Sequence, residues 1–530
     1  MSMMSREVMG QRWRDGVEGF DTPPAAATQP TKAAPQPTTA GARYRIVVVG
    51  HGMVAARFLD DLSRAVEPGR VEVTVLGEES HRPYNRLLLA EVVSGEVDPA
   101  ALVLAEPPGG TTVHTGRRAV RIDRTRGFVL DDAHDQHPFD TLVLATGAAA
   151  RVPELSGLRP NDPLPAGVHT LRTLEDCRRL IRSCRGATNA VVLGGGLLGI
   201  EAARGLIARG ISTTVVHAGP HVLDRQLDSA SADVAARAMG DLGLTVLPSS
   251  RSRSLVMDGA GRVRAVRLDD GRELAADVVL ITVGVIPRTE LARTAGLTVD
   301  RGIVVGADLR SADDQRIAAI GDCAQPPEGC PGLLAPGWEQ AGRLAASLAA
   351  QLAGQRPGDA TEPAQERADV VRLKAADLDI VTLGRIPDDD DARLISLVDR
   401  KARRSLQVAI ADERIVGAVL IGAGPIAADL TVAYERRSPV PGDPALLLVG
   451  GAAMLAPAQD DDEATVCTCN QVSRGAIVAA CRAGAHTVAE VACATRATTG
   501  CGGCVGAVSS LLARHGAAPE PRPHLAKVAV

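Results

Sequence analysis

Short apolar runs, each followed by a glycine-rich turn and a helical pattern, recur between Arg43 and Ala324. The clearest are RYRIVVVG, which ends at Gly50, and AVVLGGG, which begins at Ala190. A continuous apolar run that leads into a helical pattern is typical of a strand buried in a parallel sheet. The pattern therefore predicts an α/β protein with two copies of a strand–turn–helix unit.

Three other regions have different patterns. Apolar residues in ARLISLVDR and SLQVAIADERIVGAVLIGAG predict strands in the region 370–450. Near the C-terminus, SRGAIVAACRAG and TVAEVACATR predict two short helices in a cysteine-containing module. The segment 1–42 is rich in Pro, Ala, Thr and Gln, a composition that predicts a disordered tail.

The fold class predicted from these patterns is α/β, with two Rossmann-like dinucleotide-binding domains, an α+β domain and a small helical module. The predicted bounds are 1–42 for the tail, 43–160 with 285–355 for the first nucleotide domain, 161–284 for the second, 368–456 for the α+β domain and 463–515 for the cysteine module.

Composition narrows the function classes. The net charge is -5, and no block of Lys or Arg stands out, so neither a nucleic acid nor an anionic membrane is expected as a partner. No apolar run approaches the roughly 18–20 residues that span a bilayer, and the N-terminus lacks a secretory apolar region. We expect a cytoplasmic protein, in which the 10 cysteines are thiols or metal ligands.

The first glycine turn carries a dinucleotide fingerprint. Gly50 permits the tight turn, Gly52 lets the backbone approach a pyrophosphate, and Ala55 lets the helix pack on the strand. The following strand, RVEVTVLGEES, ends in two acids, of which Glu79 is the favoured ribose ligand. The candidate contacts in this part of the chain are Gly50, Gly52, Met53, Ala55 and Glu79. A single fingerprint of this kind is also compatible with an ordinary glycine turn.

The second fingerprint is complete, with Gly194, Gly196 and Gly199. Two such units in one chain are a recurring arrangement for FAD and a nicotinamide. Two more strand ends, FDTLVLATGA and RIAAIGDCA, add candidate FAD ligands, and Asp322 is expected to bind a ribityl hydroxyl. The further candidates are Thr146, Gly147, Gly321 and Asp322 for FAD, and Gly194, Gly196, Leu198, Gly199, Glu201, His217 and Gly284 for NAD(P)H.

Together with VVGHGMVAARFLDDL, RPYNRLLLAEVVSG and DRQLD, these motifs resemble the pyridine nucleotide-disulfide reductase-like flavoproteins. They are most similar to the N-terminal half of NADH-dependent nitrite reductase large subunits and to electron-transfer subunits of assimilatory nitrate reductases. The resemblance implies that Arg86 lies near FAD and that the α+β domain is the reductase C-terminal domain. It also implies a partner, the catalytic subunit of assimilatory nitrate reductase.

The sequence departs from the related reductases at three points. His217 stands where an acid often binds the NADH ribose, and Arg225 is expected nearby, so NADH and NADPH both stay open. Glu91 stands where related ferredoxin reductases often have a Lys that pairs with the acid at Glu201, so that ion pair cannot form. No cysteine precedes Cys177, so the redox thiols of disulfide reductases are absent.

Four cysteines near the C-terminus form a C-x-C pair, Cys467 and Cys469, and a C-x2-C pair, Cys501 and Cys504, with the segment 470–500 between the two pairs. Four thiolates suit zinc or an iron–sulfur cluster. The C-x-C half is poor zinc-knuckle geometry, and the segment TTGCGGC resembles the bacterioferritin-associated ferredoxin-like domain, which implies a [2Fe-2S] cluster. Zinc, or no metal, is the alternative. Cys177, Cys184, Cys481 and Cys493 are expected to be buried small apolar residues, and Cys323 and Cys330 receive no role.

These features predict an oxidoreductase that passes electrons from NAD(P)H through FAD and a [2Fe-2S] cluster to another protein. The cofactors carry the chemistry, and the candidate flavin-side residues are Glu91, Glu201 and Trp338. The sequence ends at Val530, shortly after Cys504, so the chain is not expected to reduce nitrite itself. One alternative is a ferredoxin or rubredoxin reductase or another reductase-complex subunit. The other is a non-catalytic, zinc-bearing redox sensor.

Overall fold

The computed structural model describes residues 43–107, 109–158, 162–329, 332–355, 370–375, 378–387, 392–449, 462–467, 470, 472–500 and 504–515. Several predictions concern residues outside these ranges: the tail at 1–42, the ligands Cys469 and Cys501, and Cys330.

The elements as far as residue 158 are β1 (Tyr44–Val49), α1 (Met53–Ala65), β2 (Val71–Gly77), α2 (Leu89–Ser94), β3 (Thr111–Thr115), β4 (Ala119–Asp123), β5 (Phe128–Asp131), β6 (Gln136–Pro138), β7 (Thr141–Leu144) and β8 (Ala148–Ala150). Those that follow are β9 (Val168–Thr170), α3 (Leu174–Ser183), β10 (Asn189–Leu193), α4 (Leu197–Ala208), β11 (Ser212–Val216), α5 (Ser229–Asp241), β12 (Thr245–Leu247), β13 (Ser252–Met257), β14 (Val263–Leu268), β15 (Glu273–Ala275), β16 (Val278–Ile281) and β17 (Val285–Pro287).

Next come α6 (Glu290–Thr294), β18 (Ile303–Val304), β19 (Arg310–Ser311), β20 (Asp314–Ala319), β21 (Ala324–Gln325) and α7 (Leu334–Leu352). The remaining elements are β22 (Val370–Ala375), β23 (Leu378–Gly384), β24 (Arg393–Asp399), β25 (Arg404–Ala411), β26 (Arg414–Ile421), α8 (Pro425–Glu435), β27 (Thr465–Cys467), β28 (Val472–Ser473), α9 (Arg474–Arg482), α10 (Val488–Thr495) and α11 (Val505–His515). Short 3-10 helices cover Arg86–Leu88, Pro99–Leu102, Gly321–Cys323 and Pro444–Leu448.

The first sheet has the strand order β19-β20-β7-β1-β2-β3, with β1 parallel to both β2 and β7. All side chains of β1 except that of Arg45 are buried, as the apolar run predicts for a strand covered on both faces. Helix α1 buries Ala55, Phe58 and Leu62 at helical spacing and packs against α7. The ends of β1, β2 and β7 therefore meet at one edge, where the first glycine turn lies.

The second sheet has the order β12-β11-β10-β16-β9, and its strands are parallel. It repeats the plan of the first sheet, because β10 is the buried central strand that leads into a glycine turn and a helix. A small antiparallel sheet, β13-β14-β15, lies beside it. The first sheet is completed by β20, which comes after the whole second sheet along the chain.

The third large sheet, β22-β23-β26-β25-β24, is antiparallel throughout and packs against α8. It contacts the second domain, where the Gln407 side chain donates a hydrogen bond to Ser231 on α5. The two predicted helices of the cysteine module are α9 and α10, each begun by a capping hydroxyl from Ser473 or Thr487. The predicted fold class is confirmed, although the pattern did not indicate α11.

Candidate functional site

The first glycine turn brings the backbone of Gly50 very close to the strand beside it. Gly50 has φ +106°, and a Cβ atom at this position would lie 2.2 Å from the carbonyl oxygen of Ala145. A side chain would therefore meet both a strained backbone and a direct clash. This close approach places the turn at the edge where β1 and β7 end.

Helix α1 begins at this turn without a side-chain cap. Its N-cap is Gly52, no acidic residue lies in its first turn, and no atom of the described residues lies within 4 Å of where a Gly52 Cβ would be. By contrast, α3 begins with a capping box at Thr173, and Asp228 caps α5. Free backbone N–H groups at a helix N-terminus beside open space suit a phosphate.

His51 lies between the two glycines of this turn. Both of its ring nitrogens are buried, and neither has a hydrogen-bond partner among the described residues. Burial lowers the pKa of the ring, so the neutral form is favoured. Buried polar atoms in native proteins are usually paired. The unpaired imidazole therefore fits a turn whose hydrogen-bond partner is a bound group such as the FAD predicted here.

Glu79 follows β2 and belongs to a polar network. Tyr84 Oη donates to Glu79 Oε2 at 2.6 Å, and the Arg86 guanidinium forms an ion pair with Glu79. Arg86 Nη1 also donates to Tyr84 Oη at 2.9 Å. Burial raises the pKa of the Tyr84 phenol, so it stays protonated and keeps donating to the carboxylate. The structure thus brings together two predicted FAD residues, Glu79 and Arg86, and adds Tyr84.

Asp322 pairs with a residue that the sequence did not indicate. Arg172 Nη2 lies 2.5 Å from Asp322 Oδ2, and Arg172 Nε donates to the carbonyl of Ala148 at 3.1 Å. The backbone of Arg172 accepts a hydrogen bond from Arg86, which links this pair to the Glu79 network. No local motif marks Arg172, because its partners are distant in sequence.

The other two FAD motifs form turns next to this pair. The carbonyl of Gly147, which has φ +68°, accepts a hydrogen bond from the N–H of Arg288, and Thr146 Oγ1 donates to the carbonyl of Arg288. The N–H of Gly321 donates to Gln340 on α7 at 2.7 Å. Helix α7 therefore fixes the turn that presents Asp322.

The second glycine turn repeats the geometry of the first. Gly194 has φ +114°, and a Cβ there would lie 2.6 Å from the carbonyl oxygen of Thr282. Helix α4 has Gly196 as its N-cap, with no side-chain cap and no acid in its first turn. A Cβ on Gly199 would lie 2.0 Å from the carbonyl oxygen of Gly194, whereas the equivalent Ala55 carries its methyl group in a buried position.

His217 follows β11 and packs under this turn. Its Nδ1 accepts a hydrogen bond from the N–H of Gly195 at 3.2 Å, so the proton of the neutral ring is on Nε2. Nε2 lies 3.3 Å from Asp224 Oδ2 but has no hydrogen-bond partner among the described residues. Arg225 is exposed. His217 thus lies against the turn, and the coenzyme preference stays a prediction.

The remaining candidates on this side lie on helices or at strand ends. Helix α2, which carries Glu91, packs on α4, which carries Leu198 and Glu201. The small Gly205 allows this packing, because a Cβ there would lie 3.1 Å from the carbonyl oxygen of Ala90. Trp338 is buried on α7. Gly284 has φ +108°, and its carbonyl accepts a hydrogen bond from the N–H of Arg151.

The cysteine module contains two of the predicted ligands within the described residues. Cys467 is buried at the end of β27, and Cys504, directly before α11, packs against the same apolar cluster. Asn470 Nδ2, one residue beyond Cys469, donates to the carbonyl of Arg496 at 2.6 Å and to Thr499 Oγ1 at 3.0 Å. The C-x-C loop is therefore tied to the loop that precedes C-x2-C, as a shared four-thiolate site requires.

Comparison with known proteins identifies the fold family. Residues 44–345, more than half of the chain, match the family described as pyridine nucleotide-disulphide oxidoreductase. This chain belongs to that family. Residues 465–514 also match the BFD-like [2Fe-2S] binding domain. These two matches identify the cofactors as FAD, NAD(P)H and a [2Fe-2S] cluster, in agreement with the two glycine turns and the tied cysteine loops.

Two curated relatives cover most of the chain. The chain is 30% identical over 476 residues to an assimilatory nitrate reductase electron transfer subunit of Bacillus subtilis (strain 168), covering 89% of this chain and 59% of that protein. It is 30% identical over 486 residues to a nitrite reductase (NADH) large subunit of Escherichia coli (strain K12), covering 89% of this chain and 55% of that protein. The chain thus spans less than two thirds of the length of these relatives.

A solved ferredoxin reductase has a similar architecture. The ferredoxin reductase for the CYP199A2 system from Rhodopseudomonas palustris superposes with a TM-score of 0.65 at 24% identity, covering 77% of this chain and 99% of that protein. This likeness supports the fold alone. Within the described part of this chain, no helix has both the length and the apolar character needed to cross a bilayer.

Of the five cysteines that the structure describes besides the predicted ligands, three are buried. Cys177 and Cys323 donate to backbone carbonyls, and burial raises the pKa of the Cys177 thiol to about 11. Cys481 is also buried, and Cys184 is half-buried. The expectation that Cys493 is a buried apolar residue is wrong, because it lies on an exposed face of α10.

Proposed function

We propose that this chain is an NAD(P)H-dependent oxidoreductase that passes electrons through FAD and a [2Fe-2S] cluster to a protein acceptor. The observation that carries the proposal is the pair of uncapped glycine turns, at Gly50 and Gly194, in a chain that also holds a four-cysteine module. Two dinucleotide sites allow a two-electron donor, NAD(P)H, to reduce FAD. One cluster site allows the electrons to leave one at a time. The residue assignments that follow are part of the proposal.

When bound, FAD would accept two electrons together and release them singly, and the cluster would carry one electron at a time. The backbone N–H groups of the Gly52 and Gly196 turns hold the two pyrophosphates. Glu79, held by Tyr84 and Arg86, accepts from the FAD ribose, and Asp322 accepts from the ribityl chain. Arg172 pairs with Asp322 and fixes the position of that carboxylate.

Cys467, Cys469, Cys501 and Cys504 are the proposed cluster ligands, and none of the chain's residues has to act as a nucleophile or general base. The proposed acceptor is the catalytic subunit of an assimilatory nitrate reductase, in the cytoplasm. The similarity to the Bacillus subtilis electron transfer subunit supports this acceptor. The seven cysteines that the structure describes are all free thiols, as in a reducing compartment, and this supports the location.

The test is anaerobic purification of the full chain, with assays for iron, acid-labile sulfide, zinc and flavin. Absorbance is then recorded while NADH and NADPH are added in turn. We expect two irons and two sulfides per FAD, in the stoichiometry of a [2Fe-2S] cluster, with bleaching of both chromophores. Cys467→Ser removes a proposed ligand, and Cys493→Ser is the matched control, because Cys493 is an exposed thiol of the same module.

The variants separate the competing interpretations. Loss of iron and sulfide in Cys467→Ser but not in Cys493→Ser supports the proposed cluster site. Stoichiometric zinc without sulfide in the wild-type protein would instead favour the redox-sensor alternative. A third outcome is that NAD(P)H reduces the flavin and the cluster, and the cluster then reduces ferredoxin but not the nitrate reductase catalytic subunit. This result would support the reductase chemistry and refute the proposed acceptor.

A further inference from the structure

A buried asparagine connects the cysteine module to the FAD domain. The Asn85 side chain donates from Nδ2 to the carbonyls of Thr499 and Gly500, each at 2.9 Å. Asn85 is only 3% exposed. Its Oδ1 accepts a hydrogen bond from the N–H of Leu87, so both the nitrogen and the oxygen of the carboxamide are hydrogen-bonded. The loop it holds leads directly to the proposed ligand Cys501.

An ion pair supports the same docking from α1. The Arg496 guanidinium contacts the Asp60 carboxylate, and both side chains are about three-quarters buried. Arg496 ends α10 with φ +67°, a left-handed conformation that glycine usually adopts at a helix C-terminus. A non-glycine residue here is a conformational cost. The contact with Asp60 gives a reason for an arginine at this position.

An open groove lies beside the contact of Arg496 with Asp60. A groove of about 530 Å³ separates the end of α1 at Arg64 from the alanine-rich faces of α9 and α10. The apolar cluster of the module, within the described residues, contains no residue of the FAD domain. The polar contacts of Asn85 and Arg496 must supply much of the orientation, because buried hydrogen bonds are geometrically specific.

Asn85 lies within the polar network of Glu79, Tyr84 and Arg86. Asn85 is flanked by Tyr84 and Arg86, and both of these contact Glu79. The segment that holds the proposed FAD ribose ligand therefore also holds Thr499 and Gly500, which directly precede Cys501 in the chain.

We propose that Asn85 and the Asp60–Arg496 pair are positioning residues that dock the cysteine module on the FAD domain through the segment 496–500 and thereby set the rate of electron transfer from FAD to the cluster. This proposal rests on the proposed function. One hydride from NAD(P)H brings two electrons and one proton. The electrons pass singly through the cluster to the acceptor protein, which is reduced twice, and the proton returns to solvent.

The test compares holoenzyme variants by stopped-flow absorbance and by hydrogen exchange. Asn85→Asp keeps the acceptor for Leu87 but replaces the donor with an oxygen that faces two carbonyls. Arg496→Ala removes the ion pair, and Arg496→Lys keeps the charge. The matched control is Asp61→Asn, because Asp61 neighbours Asp60 on α1 but pairs with Arg57. Flavin content and the rate of flavin reduction by NAD(P)H serve as internal references.

We expect cluster reduction in Asn85→Asp and Arg496→Ala to slow by about tenfold or more, while flavin reduction keeps the wild-type rate. Amide exchange should rise in the peptide covering residues 488–500 but not at α9. Arg496→Lys should restore most of the rate, and Asp61→Asn should match the wild type. The proposal is refuted if both docking variants reduce the cluster at the wild-type rate, or if exchange at 488–500 is unchanged.

The experiment separates this inference from the proposed function. If wild-type flavin is not reduced by NAD(P)H, or no cluster is present, the proposed function fails. Hydrogen exchange still tests the docking contacts in that case, because it needs no electron transfer. Should Asn85→Asp fail to fold, Asn85→Ser, which keeps a short acceptor for Leu87, takes its place beside Arg496→Ala.

Discussion

Replacing Gly199 with alanine should damage the NAD(P)H site and leave the FAD site intact. The new methyl group would lie 2.0 Å from the carbonyl oxygen of Gly194 and 2.8 Å from Oγ1 of Thr282. Since non-bonded carbon contacts need roughly 3.5 Å, the turn and helix α4 must separate by more than about 1 Å. Overpacking of this kind costs about 1–3 kcal/mol.

The assay for this variant is coenzyme affinity measured by flavin reduction over a range of NAD(P)H concentrations, together with flavin content. If the cost of about 1–3 kcal/mol falls on the turn that binds the pyrophosphate, affinity drops by about 5- to 150-fold. Gly240→Ala is the matched control: it makes the same change on a helix of the same domain, where no atom of the described residues lies within 4 Å. Wild-type affinity and thermal stability in Gly199→Ala would refute the steric argument.

Three further predictions address other parts of the molecule. Arg172→Ala should lower the flavin-to-protein ratio of the purified protein because Asp322 loses its cationic partner. Arg172→Lys should lower this ratio less, and equal flavin content in the two variants would contradict the prediction. His217→Glu should shift the ratio of kcat/KM values toward NADH by about tenfold, because a carboxylate favours the 2′-OH over a 2′-phosphate. Burial lowers the pKa of His169 to about 4, so the folded state binds fewer protons than the unfolded state between pH 4 and 6.5, and stability falls as pH falls through that window. The loss is below about 3 kcal/mol because the ring is partly exposed, and thermal melts of His169→Gln should depend less on pH there than wild-type melts.

The parts of the site that could be predicted from sequence are those fixed by local backbone geometry. Gly50 and Gly194 are each required by a positive φ and by a strand carbonyl too close for any side chain. Because of this requirement, a glycine directly follows each of the two apolar runs. This pattern can be recognised in a single sequence. The turns that carry Thr146 and Asp322 also contain a glycine with positive φ, Gly147 and Gly321, but no strand carbonyl of the described residues lies close to either of them.

The contacts that could not be predicted join residues far apart in the chain. Asn85 and Thr499 are separated by 414 positions, and nothing near either residue marks the other. Arg172 and Asp322 are 150 positions apart. The exposure of Cys493 was missed because residue type predicts average burial, whereas the packed face of α10 is decided by its neighbours.

The discontinuity of the first sheet has a consequence for how the protein is made. Strand β7 ends at Leu144, but its neighbour β20 begins only at Asp314, after the second domain has been synthesised. At translation rates of about 5–20 residues per second, the growing chain holds an incomplete sheet for roughly 10–30 seconds. During that interval β7 has an open edge, and Asp322 has not yet been added. Stable flavin loading is therefore a late event in biosynthesis, and the second domain leaves the ribosome before the first can be finished.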